Sequence, residues 1–162
     1  MQLASLAHMP LVLLLGLAVG ILSAAFIQAM QFVAGTGRRL ALWQRFSAAA
    51  LIAALFAVML PEVMGIGYDS VNKALLGELG LVTLALLVIG KLLATSLSVG
   101  LGIPGGMIGP SLFIGAALGA LTANLFALAG FDVDIGLFAL LGMGAMMGGS
   151  LQAPLAALTA IM

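Results

Sequence analysis

Apolar residues run through this chain in long blocks, and the few polar ones fall at the joints between them. Residues 10–33 are apolar but for Ser23, Gln28 and Gln31. At about 1.5 Å per residue that block is long enough to cross a hydrocarbon core of roughly 30 Å. The pattern predicts further helical segments near 45–60, 69–77, 79–99, 107–128, 135–147 and 151–162. Segments 79–99 and 107–128 are spans in their own right, while 45–60 falls short unless Trp43 and Arg45 extend it into the headgroups. The last two are each too short to cross alone. Divided by Gly148, Gly149 and Ser150, they read as a re-entrant or tilted pair. A turn through Gly65 and Gly67 leads into the short helix of 69–77, with Asp69 or Ser70 as its cap, and Asp134 is placed to cap the helix that follows it in sequence. The fold class predicted is an all-α integral membrane protein, a multi-pass bundle with broken and re-entrant helices.

One joint breaks the pattern. Between the spans 79–99 and 107–128 and into the start of the second lie Gly100, Gly102, Pro104, Gly105, Gly106, Gly109 and Pro110. Glycine is costly in a helix, and an interior proline removes a hydrogen bond and clashes with the preceding turn, so the backbone must unwind there. Unwound backbone at membrane depth survives only where protein or trapped water satisfies it, and such breaks mark the substrate sites of transporters. The new helix then offers first-turn N–H groups at Gly106, Met107, Ile108 and Gly109, at the positive end of the helix dipole. An anion is the natural occupant.

Composition removes most other classes of function. The chain is 64% hydrophobic and 6% charged with a mean hydropathy of +1.35, against about 25% charged for an ordinary soluble domain. Five basic residues balance five acidic ones, so nothing points to nucleic acid. There is no cysteine, and a single His8 has no second ligand, so no metal site is expected. Asp132 and Asp134 would form a cation site only if other oxygens joined them. Glu62, Asp69, Glu78, Asp132 and Asp134 are all read as loop residues, which leaves no catalytic constellation to assemble: no enzyme and no cofactor are expected. Arg38, Arg39 and Arg45 mark a cytoplasmic loop and are read as a topology signal, with Trp43 an interfacial anchor. The start shows no signal-peptide pattern, and residues 159–162 still lie in an apolar run, so the sequence reads as a piece of a longer protein.

Two helix faces draw notice. Gly16 with Gly20, and Gly115 with Gly119, have small-residue spacing; the first pair is read as packing within the bundle, with a dimer seam as the alternative. Lys91, Thr95 and Ser98 share one face of the third span. A lysine there must snorkel, find a partner or face a cavity. It either adds to a positive field that draws anions toward the break, or is a structural charge bonded to carbonyls near residues 100–105.

Gly102-Ile103-Pro104-Gly105 followed by Gly106-Met107-Ile108-Gly109-Pro110 resembles the CLC family of chloride channels and proton-coupled anion exchangers. In that family a Gly-x-Phe-x-Pro motif opens a half-helix whose backbone amides touch the anion; here Ile108 stands where phenylalanine is usual. A second stretch, residues 141–155, resembles the family's Gly-Met-x-Ala run leading to Arg-Ala-Pro-Leu, with Gln152 in place of the arginine. The resemblance implies transport of chloride or a similar small anion through a lipid bilayer, a homodimeric full-length protein, and an inner-membrane location in a bacterium. It also implies that the family's first half and its two closing helices have no counterpart in these residues. The family's anion-touching tyrosine belongs to those closing helices, so Tyr68 is read as interfacial. Family members often carry a basic residue at the position of Lys91. A non-transporting scaffold subunit, or a solute carrier of another fold, remains as an alternative.

Overall fold

The computed structural model describes residues 9–65 and 67–151. Six α-helices follow in order: α1 Met9–Gly37, α2 Leu42–Met59, α3 Tyr68–Leu75, α4 Leu81–Gly100, α5 Ile108–Leu128 and α6 Ile135–Leu151, with one 3-10 turn at Pro61–Val63 between α2 and α3. Helices α1, α2, α4 and α5 are long and apolar enough to cross a membrane, and the chain is an all-α, multi-pass integral membrane protein.

The bundle is built around α5, which packs against α4 on one side and α6 on another, with α3 across its start. Phe113, Ile114, Ala117 and Ala120 of α5 meet Leu84 and Leu87 of α4 and Phe138 and Met146 of α6 in one apolar core. Helix α1 closes it with Leu15, Val19 and Phe26. Helix α2 lies outermost, with Ala49 its sole buried residue among those described.

Small residues decide how closely α5 and α6 approach. A Cβ at Gly119 would overlap the Phe138 carbonyl oxygen, and one at Gly115 would overlap the carbonyl oxygen of Gly142. Backbone therefore touches backbone along this seam, the arrangement that small residues permit between membrane helices. At its end Phe126 and Phe138 meet edge to face, 5.8 Å between ring centres.

Several joints differ from what the sequence suggests. Helix α6 runs unbroken through Gly148, Gly149 and Ser150 to Leu151, so the expected division there is absent. Gly149 is a packing notch, since a Cβ on it would lie 2.7 Å from Ser23 Oγ, and Ser150 Oγ donates to the Met146 carbonyl within the helix at 2.7 Å. The helix expected over 151–162 lies outside the described residues apart from Leu151, as do Gln152 and His8. The start of α3 takes no side-chain cap: Gly67 precedes it in a left-handed conformation, φ 74°, and Asp69 sits in the first turn. Asp134 does cap α6, its Oδ1 accepting from Leu137 N–H at 3.2 Å. Gly16 and Gly20 are exposed, with no described atom within 4 Å of a Cβ on either, so neither is a packing contact among the described residues.

Candidate functional site

The two ends of the break are finished differently. Helix α4 closes with Gly102 left-handed at φ 94°, the Gly102 N–H donating to Val99 O at 2.9 Å and the Ile103 N–H to Ser98 O at 3.1 Å. That is a complete Schellman ending, which satisfies the carbonyls of the last turn. Arg45, from the first turn of α2, adds a charge-assisted bond, its Nε donating to the Leu101 carbonyl at 2.9 Å. So Arg45 is more than a topology signal: it sits as a cation at the negative end of α4.

Among the described residues nothing comparable closes the start of α5. Met107 is its N-cap and has no side-chain cap bond, and the N–H groups of Gly106, Met107, Ile108 and Gly109 find no backbone acceptor among the described residues. Pro110 fits the first turn because it lacks the N–H that would also go unpaired there. Ser111, fully buried, folds its hydroxyl back on the Met107 and Ile108 carbonyls at 2.8 and 2.9 Å. The first turn is thus braced by the Ser111 hydroxyl.

Two cavities flank this turn. The smaller, about 200 Å³, is lined by Lys91, Thr95 and Ser98 from α4, by Val63 to Gly65, and by Gly105, Gly106 and Pro110. The larger, about 490 Å³, is lined by Tyr68, Val71, Gly106, Ile108, Gly109, Pro110 and Met143 among others. Gly65, Gly106 and Pro110 border both. Pro110 shares the smaller cavity with Lys91, Thr95 and Ser98, so the start of α5 lies beside α4. Residues 101–107 carry the chain back into the bundle.

Lys91, Thr95 and Ser98 do share one face and one cavity. The partners of Lys91 are not the carbonyls of 100–105. Its Nζ donates to Val63 O at 2.7 Å and to Gly65 O at 2.5 Å, and lies 4.9 Å from the centre of the Phe113 ring on α5. Only 4% of Lys91 is exposed, so these contacts replace solvent around a charge inside a spanning helix. Tyr68 is exposed and forms part of the wall of the larger cavity, a placement that its local sequence does not reveal. The sequence signal for Arg45 as a cap was equally faint, since its partner lies 56 residues away.

A family described as "Voltage gated chloride channel" matches residues 1–162. The chain is 35% identical over 145 residues to a putative chloride channel protein ClcB-like of Ralstonia nicotianae, 87% of this chain and 34% of that protein. It is 29% identical over 113 residues to an H(+)/Cl(-) exchange transporter ClcA of Klebsiella pneumoniae, 68% of this chain and 24% of that one. It is 44% identical over 75 residues to an uncharacterised protein of Methanocaldococcus jannaschii, 46% of this chain and 19% of that protein. The chain spans about a third or less of the length of these relatives.

Proposed function

This chain belongs to the voltage gated chloride channel family, and on that footing we propose that it carries part of a pathway for chloride or a similar small anion across a membrane. The observation that supports the proposal is the uncapped start of α5, where the N–H groups of Gly106, Met107, Ile108 and Gly109 find no backbone acceptor among the described residues and Gly106, Ile108 and Gly109 line cavities. Oriented amides at the positive end of a helix replace part of the water that an anion gives up on entering. Since the ligands are backbone groups, Ile108 in the usual place of phenylalanine keeps the donors and changes the shape of the larger cavity, which it lines.

Relatives named as a chloride channel and as an H(+)/Cl(-) exchange transporter both support anion passage. The acidic residues Glu62, Asp69, Glu78, Asp132 and Asp134 lie outside the four spans, so the proposal covers channel and exchanger alike. The full-length protein, in this proposal, works as a homodimer in the bilayer.

Anion flux through the full-length protein in liposomes is the test, compared with Gly106→Leu. A Cβ at Gly106 meets nothing within 4 Å, so the variant is expected to fold and to lose flux by tenfold or more, on the scale of about 1.4 kcal/mol. Equal flux from the variant sinks the role of these amides. No flux from the unaltered protein favours the scaffold alternative, and transport of an organic solute without halide favours a carrier.

A further inference from the structure

Gly65, Gly106 and Pro110 border both cavities, and Gly65 and Gly106 present bare backbone there, with no described atom within 4 Å of where a Cβ would be. Something else must hold one wall at a fixed distance from the other. The Gly106 and Pro110 side is fixed by α5. The Gly65 side is a turn after the 3-10 segment, and its carbonyl accepts a bond from Lys91 Nζ.

We infer that Lys91 is a positioning residue that sets the width of the passage between the two cavities, and so the size of anion that passes, by holding Gly65 through its carbonyl. This rests on the anion-transport proposal above. An ammonium group has three N–H donors. Two go to Val63 O and Gly65 O, and the Phe113 ring covers another side at 4.9 Å. One atom thereby joins α4, the turn at 63–65 and α5. With its donors engaged, Lys91 acts on a passing anion chiefly through where it puts Gly65. A field source would instead favour every monovalent anion alike.

The test is flux of chloride, nitrate and thiocyanate through the full-length protein in liposomes, for the unaltered protein, Lys91→Met and Lys91→Arg. Lys91→Met is expected to raise thiocyanate flux relative to chloride about tenfold, the low end of the scale of one lost charge-assisted hydrogen bond. Lys91→Arg keeps the charge but presents a planar fork in place of a compact ammonium, so the ratio is expected to stay altered. A uniform fall for all three anions in Lys91→Met, fully reversed in Lys91→Arg, overturns the inference and leaves the transport proposal standing. No flux of any anion from the unaltered protein overturns the transport proposal itself. Should Lys91→Met fail to fold, Phe113→Leu, which removes the ring and leaves both carbonyl bonds, is expected to move the ratio the same way by about twofold. No change in ratio there, with hydrogen exchange at Met64 and Gly65 also unchanged, counts against the clasp.

Discussion

Along the seam between α5 and α6 the glycines lie against backbone, whereas at the break Gly106 lies beside open space. Gly115, Gly119 and Gly142 sit in regular helix, and each would drive a Cβ into the carbonyl or Cα of the facing helix. Gly106 sits in unwound chain between Pro104 and the first turn of α5, and a Cβ there meets nothing within 4 Å. The residue type is the same. What differs is whether prolines interrupt the helix and what lies across from the missing side chain. In the seam the absent Cβ brings two helices together. At the break it leaves the backbone beside open space, as the proposed anion role requires.

Gly119→Val tests the closed side and has the largest expected effect. Its Cβ would overlap the Phe138 carbonyl and lie 2.7 Å from Ala139 Cα, with no flexible side-chain end to give way. Overpacking of this kind destabilises by about 3 kcal/mol or more where backbone must move. Thermal unfolding of the purified protein in detergent should show a large loss for Gly119→Val and a change within about 0.5 kcal/mol for Gly106→Leu. Similar losses for both would erase the distinction between the two regions.

That contrast could be read only in part from the sequence. Prolines at 104 and 110 among clustered glycines announce an unwound stretch wherever they fall between two apolar runs, and the structure ends α4 at Gly100 and begins α5 at Ile108. Gly148 and Gly149 carry no proline beside them, and α6 continues through both, with Ser23 of α1 packed at the notch that Gly149 leaves. Composition alone treats the two clusters as equivalent. Asp134 was legible as a cap because its acceptor and donor lie three residues apart. Lys91 was legible as a buried charge on the inner face, while its partners Val63 and Gly65 lie 28 and 26 residues earlier and depend on how the 3-10 turn folds under α4. The same holds for Arg45 and Leu101. Contacts within a turn or two can be read from spacing, and contacts that close the bundle cannot.

Arg45→Ala sharpens the comparison at the closed end of the break. It removes the Nε bond to the Leu101 carbonyl and the cation at the end of α4, together worth about 1–2 kcal/mol. Arg45→Lys keeps the cation and loses the geometry of that bond, so it should fall between the two. Stability is again the measurement, with the break's hydrogen exchange near Gly102 and Ile103 as a local reading. No loss in Arg45→Ala would mean that the Schellman ending alone holds this side.

Gly20→Ala carries the smallest expected effect and sorts a third group of glycines. Gly20 lies inside α1 on a face with Leu13, Leu17 and Ile21, all exposed, and no described atom comes within 4 Å of its Cβ position. Alanine is favoured over glycine inside a helix by about 0.8–1 kcal/mol, so with that face open to lipid the variant should be unchanged or slightly more stable. A loss of stability, or of assembly in the membrane, would show that the face is covered in the folded protein and that Gly20 belongs with Gly119 as a contact glycine. The sign of one small change therefore separates a helix that faces lipid from one that faces more protein.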